Sequence, residues 1–249
     1  MNIAVCIKQV PDTETKIQIA SDGRSIETGN INYVLNPYDE FAIEAGIALK
    51  EELGGEVTAI CLGPSDAVSV LRGAIALGAD KAVHLKTDQS DIDASATATA
   101  LSGAIRNMPC DLVLFGKQSV DADNGQVGPM VAEMLGLPCV CQVVNIKSGE
   151  GALTVHRQVE GGEEVSTVSL PAVLTAQKGL NEPRYASLKD IMRAKRAQIE
   201  ELQTTAIQPR VEIVHIALPA DRQAGLYIGQ GVEAVPELIQ KLKEEAKVL

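Results

Sequence analysis

Aromatic side chains are nearly missing from this 249-residue chain: it has no Trp, two Phe and four Tyr, 2% in all. Any core must therefore be filled by Val, Ile, Leu and Ala, and hydrophobic residues at 45% supply enough of them. Positive charge is also scarce. With 22 Lys and Arg against 33 Asp and Glu, the net charge is −11, which argues against binding nucleic acid by phosphate neutralisation. No apolar run reaches the ~18–20 residues of a membrane span. The opening "MNIAVCIKQV" starts at once as a strand-like run, without the basic region or cleavage site of a signal peptide, so a cytoplasmic location is expected, or the mitochondrial matrix for a eukaryotic source.

Histidines are few and scattered: His84, His156 and His215. The five cysteines, Cys6, Cys61, Cys110, Cys139 and Cys141, show no zinc spacing, and four of them lie in or beside apolar runs, where a free thiol behaves as a small hydrophobe. No metal site is expected. Neither a GxGxxG nor a GK[ST] phosphate motif occurs in the loop that would most need one, and no Ser-His-Asp, Cys-His or paired-carboxylate constellation stands out. No catalytic residue is assigned, which favours a binding or carrier role over hydrolytic chemistry.

Four short runs are apolar on both faces: residues 2–8, 56–62, 81–85 and 111–116. Such runs fit strands of a parallel sheet covered on both sides. Helix-period segments alternate with them. "NPYDEFAIEAGIALKEELGG" places Phe41, Ala45, Ala48 and Leu49 on one face, with Asn36 as N-cap, Pro37 in the first turn and Gly54 and Gly55 as the stop. A second helix begins at Ser65 or Asp66 and ends at Gly78, and a third, rich in small residues, runs through "SDIDASATATALSGAIRNM". The β-α-β-α order predicts a doubly wound α/β fold with a mainly parallel, Rossmann-like sheet. Ligands of such folds sit beyond the carboxyl ends of the strands. Four segments should meet there: Gln9 to Thr13, Asn36 to Asp39, Leu62 to Ser65, and Gly116 to Gly128.

The pattern changes after residue 137. Residues 138–176 alternate apolar and polar with turns at "SGEG" and "EGGEE", predicting an antiparallel edge extension. A loop and a basic helix follow within "GLNEPRYASLKDIMRAKRAQIEEL". The expected division is an α/β domain over 1–200, including this helix at 180–200, and a C-terminal arm over 201–249. That arm ends in an amphipathic helix with Val235, Leu238, Ile239, Leu242 and Ala246 on one side.

Two segments carry more specific expectations. In 116–128, Gly116, Gly125 and Gly128 permit close backbone approach, and Asn124 or Gly125 would cap the helix that follows. Its first free N–H groups would then favour an anion in the crevice. One reading is a nucleotide site gripped by backbone amides; the other is an ordinary βα loop with solvated Asp121 and Asp123. In 184–196, five cations (Arg184, Lys189, Arg193, Lys195, Arg196) face one anion (Asp190). The residues alone favour a solvated face; the alternative is a docking surface with Leu188 as an apolar anchor.

"VCIKQVPD", "LNPYDEFAIEAG", "CLGP", "ALGADKAVHL", "LFGKQSVDADNGQVGP" and "LNEPRYASLKDIMRAKR", in this order over roughly residues 1–200, closely resemble the β (small) subunit of electron-transfer flavoproteins. The tail beyond 205 matches loosely. The resemblance implies a heterodimer with a larger α subunit that holds most of one FAD, the β subunit's C-terminal arm wrapping on it. It implies an electron carrier rather than an enzyme, passing electrons from acyl-CoA dehydrogenases to a membrane quinone reductase. It also implies a structural AMP in β. Carried over by position, that site comprises Cys6, Asn36, Pro37, Tyr38, Asp39, Leu62, Gly116 and Lys117, then Gln118, Ser119, Val120, Asp121, Ala122, Asp123, Asn124, Gly125, Gln126 and Val127. Tyr38 falls where the family places an aromatic near the flavin edge, whereas Thr13 stands where some members have a second one. Arg184, Tyr185, Leu188, Ile191, Met192, Arg193 and Lys195 match the family's partner-recognition segment, with Leu188 as its anchor.

There are departures. Gln158 stands where some members carry a Glu. The "QVGP" ending of the cradle loop resembles the electron-bifurcating branch, in which a second FAD replaces AMP and NADH is oxidised, while "NEPRY" resembles the simple branch. AMP is the favoured expectation, with a second FAD and a bifurcating role as the alternative. A stand-alone nucleotide-binding stress-type protein is a third reading, disfavoured by the docking helix and the arm.

Overall fold

The computed structural model describes residues 1–89, 92–204, 208–220 and 224–249. Ser90 and Asp91, at the start of the third expected helix, and 205–207 and 221–223 of the expected arm lie outside the described residues. Contacts divide the chain into two compact units, Met1–His215 and Ile216–Leu249. The expected boundary at 200/201 falls within the first.

The strands and helices of the first unit run β1 (Asn2–Ile7), β2 (Gln9–Pro11), β3 (Tyr33–Leu35), α1 (Pro37–Leu53), β4 (Glu56–Gly63), α2 (Val68–Leu77), β5 (Lys81–Lys86), α3 (Ala94–Ile105), β6 (Leu112–Gly116), α4 (Val127–Leu135), β7 (Cys139–Ser148), β8 (Ala152–Val159), β9 (Gly162–Ser169), β10 (Ala172–Ala176), α5 (Leu188–Arg196) and β11 (Glu200–Gln203). Nine strands form one sheet in the order β11-β5-β4-β1-β6-β10-β7-β8-β9. Every pairing from β11 to β7 is parallel, and β7-β8-β9 is an antiparallel meander. This is the expected doubly wound, Rossmann-like α/β fold.

The two-sided apolar runs explain the layering. In β1, Ile3, Val5 and Ile7 point into the cluster that includes α1 and α2, whereas Ala4 and Cys6 point into the one that includes α3 and α4. In β6, Leu112 and Leu114 face the first side and Val113 and Phe115 the second. The chain moves outward from β1 to β4 and β5, then returns to the opposite flank of β1 as β6. Strand order thus reverses at β1/β6, and the crevice at their carboxyl ends is the place such folds use for ligands.

Five details differ from the sequence-based expectation. β10 is no part of the edge extension: it inserts, parallel, between β6 and β7, and all five of its residues are buried. The basic helix does not continue to residue 200. Ala197 leaves helical geometry with ψ at 138°, and Glu200–Gln203 pair with β5 as an edge strand. On α1 the buried face is Ala42, Ile43, Ala45, Gly46, Ile47 and Leu49, while Ala48 is exposed. α2 is entered through a 3-10 turn at Ser65–Ala67 without a side-chain cap. The N-cap of α4 is Gln126 rather than Asn124 or Gly125, and Asn124 instead accepts the Gln126 N–H at 3.3 Å.

In the second unit, α6 (Val235–Glu244) buries none of its residues, and Val235, Leu238 and Ile239 remain exposed. No helix among the described residues is long and apolar enough to cross a membrane.

Candidate functional site

The short β2/β3 ribbon returns the chain to the end of β1, where the Asn36 N–H donates to Lys8 O at 3.0 Å. Asn36 precedes α1 but does not cap it with its side chain. Its amide reaches across the crevice instead: Nδ2 donates to Gln118 O at 2.9 Å, and Oδ1 accepts from Val120 N at 3.1 Å. One buried amide thus satisfies both a donor and an acceptor of the loop after β6.

Asp39, in the first turn of α1, completes the connection. Its buried carboxylate accepts from Lys8 N at 2.7 Å and from Gly116 N at 3.1 Å, joining the carboxyl ends of β1 and β6. Burial pushes its pKa up to about 7, against hydrogen bonds from Asn36 and these two amides that pull it down. Gly116 meets this clamp without room to spare. A Cβ there would sit 2.4 Å from Asp39 Oδ1 and 2.7 Å from Tyr38 Cβ and carbonyl carbon. At the far end of the loop, a Cβ on Gly128 would sit 2.8 Å from Thr175 Cγ2 of β10.

The acidic residues of the loop are internal ties. Lys8 Nζ reaches both carboxylate oxygens of Asp121, at 2.8 and 2.7 Å, and Ser119 Oγ at 3.4 Å. Burial raises the Asp121 pKa, but the Lys8 ammonium, the Ser119 hydroxyl and the Ala122 N–H together outweigh it and leave it below the ordinary value. Gln118 Nε2 donates to Asp123, which adopts a left-handed φ of 54°. Gly125 is also left-handed, at 59°, and there the chain turns into α4. With Asp121 held by Lys8 and Asp123 by Gln118, the N–H groups of Val127 and Gly128 carry the favourable end of the α4 dipole toward an anion, Pro129 having none. The loop therefore has the close-approach glycines and backbone donors that a phosphate-bearing ligand requires.

The segments expected to meet do so unequally. Asn36–Asp39 and the segment from Gly116 are joined to each other and to Lys8 by the bonds above, whereas Gln9–Pro11, the start of the first expected segment, pair with β3. Pro37 and Tyr38 lie between the two tying residues, and Lys117 is fixed by its backbone N–H to Ala176 O at 2.8 Å. Leu62, next to last in β4, packs in the cluster on the α3/α4 side. Cys6 is buried beneath the crevice among the same residues, and burial pushes its thiol pKa well up, so it stays neutral. Lys8, the cation at the end of β1 that ties the loop, was not singled out from the sequence. The available signal was a Lys at the end of a parallel strand in a fold whose facing loop holds two Asp.

Two cavities among the described residues lie elsewhere. One of ≈ 190 Å³ sits among Asn2, Glu56, Lys81, Asn107 and Glu200, and one of ≈ 600 Å³ among Lys50, Asp80, Arg184, Arg193 and Arg196.

The second candidate surface surrounds α5. Ser187 caps it, accepting from Asp190 N at 3.2 Å, and the Arg72 guanidinium takes the carbonyls of Ala194, Lys195 and Ala197 at its other end. Arg184 is not a free cation: it forks onto Glu44 and Glu51 of α1, with contacts of 2.7–3.1 Å. Arg193 lies 3.5 Å from Asp190. α5 turns an apolar patch outward within a basic face: Leu188 is 77% exposed, Met192 48% and Ile191 39%, Tyr185 of the preceding loop is 99% exposed, and Lys189, Arg193, Lys195 and Arg196 of the helix are exposed as well. Only Ala194 of the helix is buried.

Residues 24–207 match the model of the electron transfer flavoprotein domain. The chain is 37% identical over 259 residues to the electron transfer flavoprotein subunit beta of Bacillus subtilis, both proteins being covered in full. It is 37% identical over 256 residues to the mitochondrial subunit beta of Arabidopsis thaliana, and 35% over 257 residues to the subunit beta of Bradyrhizobium diazoefficiens, again with complete coverage of each chain. A doubly wound sheet, a crevice tied by the start of its first helix, and relatedness along the whole length lead to one assignment: the chain belongs to the electron transfer flavoprotein family, among its β subunits.

Proposed function

We propose that this chain is the electron-carrier β subunit of a heterodimer with an electron-transfer flavoprotein α subunit, working in the cytoplasm or, in a eukaryote, in the mitochondrial matrix. A FAD shared with α supplies the one-electron chemistry. The chain's own work is to hold a nucleotide, support the flavin-bearing partner and dock. The observation that carries this reading is the cradle made by Asn36, Asp39 and residues 116–127. It spends its acidic side chains on itself and keeps backbone donors for the ligand. AMP is the proposed occupant, its phosphate at the start of α4, with Tyr38 beside the partner's flavin. A larger dinucleotide is the second reading, favoured by the Gln126-Val127-Gly128-Pro129 ending of the loop.

One experiment separates these. The chain is purified with its α subunit, the complex is denatured, and the released nucleotides are resolved by chromatography. One FAD and one AMP per heterodimer is the expected result. Two FAD and no AMP replaces the carrier reading with the bifurcating, NADH-oxidising one. A stable monomer that carries no flavin partner returns the chain to the stand-alone class.

Electron donors of the acyl-CoA dehydrogenase type are proposed to dock on the apolar patch of α5, and a membrane quinone reductase is the proposed acceptor. Leu188 is the proposed anchor: an exposed leucine on a capped helix braced from behind by Arg72 has little ordering left to lose on binding. Truncation of such an anchor costs about 2 kcal/mol or more. Leu188→Ala is therefore expected to weaken uptake from the dehydrogenase roughly 30-fold with FAD content unchanged. Stopped-flow reduction at varied dehydrogenase concentration measures this, and an unaltered concentration dependence removes Leu188 from the docking site.

A further inference from the structure

The Cys-Val-Cys segment at the start of β7 looks inert in sequence, but the fold brings its two sulfurs together. Cys139 and Cys141 are both free and only partly buried, and their Sγ atoms are 3.8 Å apart. Residues two apart on a strand share a face and are separated by about 6.6–6.8 Å, the upper end of the Cα separation that a disulfide spans. The strand is not locked into a regular ladder here. From β10 to β7, Leu174 pairs with Val140 but Ala176 pairs with Val143, so an extra residue lies on β7 at Cys141–Gln142. Gln142 takes up the irregularity with a φ of 60°, and its N–H donates to Thr175 Oγ1 at 3.0 Å. A strand with slack at this position can shorten the gap between its sulfurs.

The two thiols are also chemically unequal. The pKa of Cys141 is lowered by a hydrogen bond from Cys139, against partial burial that raises it, and further by Thr175 and the charge of Arg157, while Cys139 is raised by the same hydrogen bond and by burial. Arg157 Nε is buried without a hydrogen-bond acceptor and lies 3.8 Å from Glu164, so its charge is incompletely answered within the sheet. The other cysteines differ. Cys6 and Cys61 are fully buried, and burial raises their thiols, as it raises Cys110.

We propose that Cys139 and Cys141 form a thiol–disulfide exchange site that accepts a low-molecular-weight disulfide and closes reversibly into an intramolecular disulfide. The Cys141 thiolate attacks one sulfur of the small disulfide, forming a mixed disulfide and releasing one small thiolate. Cys139 loses its proton to solvent, and its sulfur attacks that of Cys141. The Cys139–Cys141 bond forms, the mixed disulfide breaks, and the second small thiolate leaves. The two cysteine sulfurs lose two electrons and the small disulfide gains them, while the two cysteine protons balance the two thiols released. A short ring on a strand is strained, so the closed form should be easily reduced and its state set by the surrounding thiol pool.

The test uses the complete heterodimer, equilibrated across glutathione/glutathione-disulfide buffers, quenched with N-ethylmaleimide and mapped by peptide mass. The expected result is that the peptide carrying residues 139–141 loses both alkylation sites together under oxidising buffer and regains both on reduction. Cys139→Ser should hold a lasting glutathione adduct on Cys141. Cys141→Ser should react on the order of tenfold more slowly at Cys139. The nucleotide held in the cradle should not change in either variant, because neither cysteine lies among the residues that form it. Alkylation of both cysteines across the whole buffer range, or a glutathione adduct that accumulates in the unsubstituted protein, overturns the proposal.

Discussion

Gly116→Ala is expected to empty the cradle and weaken the fold together. The added methyl would lie 2.4 Å from Asp39 Oδ1 and 2.7 Å from two atoms of Tyr38, one of them backbone. No rotamer change relieves a clash with backbone, so β6 must separate from the start of α1. Overpacking of this kind costs about 1–3 kcal/mol. Here it also stretches the bond from Gly116 N to Asp39, which positions the loop. The expected outcome is loss of the β-bound nucleotide from the purified heterodimer, with a denaturation midpoint lowered to match. Gly73→Ala is the control. Gly73 lies within α2 and a Cβ there meets nothing within 4 Å, so that variant should gain up to about 1 kcal/mol. If Gly116→Ala retains nucleotide and midpoint, the close approach of β6 to α1 is not what shapes the cradle.

Asp39→Ala should have the other large effect. It leaves Lys8 N and Gly116 N without their acceptor in a buried position, at about 1–3 kcal/mol for each donor. Asp39→Asn keeps an acceptor oxygen and removes the charge, so comparing it with the unsubstituted protein isolates the pH dependence. The folded pKa is raised to about 7, above the ordinary carboxyl value near 3.9. Between those values the folded state binds a proton that the unfolded state has released. Stability from this group is therefore highest at low pH, falls as pH rises through the window from about 4 to about 7, and is level above it. The slope is at most about 1.4 kcal/mol per pH unit. Urea unfolding at pH 5 and pH 8 measures it. Asp39→Asn should lose less stability than the unsubstituted protein over that interval, and equal losses would mean that Asp39 titrates in the ordinary range.

Much of this architecture was legible in the chain because burial on both faces leaves a distinctive trace. "NIAVCI" and "LVLF" have no polar face to offer water, and each became a central parallel strand. β10 carries the same trace in "AVLTA", yet its neighbours in sequence belong to a meander, and nothing local says that the chain leaves the edge to return to the middle. Alternation marks a strand but not its partner. The end of α5 was hidden for a related reason. Residues 197–203 remain compatible with a helix, and the Arg72 guanidinium that takes the final carbonyls is more than a hundred residues away. At the crevice, two of the segments that the strand-end rule picks out, Asn36–Asp39 and the loop from Gly116, are tied together, while the roles of individual side chains followed from tertiary pairing. Asn36 reads as a cap in sequence and is a cross-link in the fold; Asp121 reads as a solvated acid and is the partner of Lys8.

The late return of β10 has a consequence for assembly during synthesis. The wall that Thr175 provides beside Gly128, and the backbone acceptor Ala176 that fixes Lys117, come from a strand made about fifty residues after the loop they complete. A ribosome-bound chain ending before residue 172 would have β1, β4, β5 and β6 ready to pair, but the flank of β6 would still be open. On the proposed reading of the crevice, nucleotide capture would be a late event in the life of this chain, after the sheet that holds the ligand has closed.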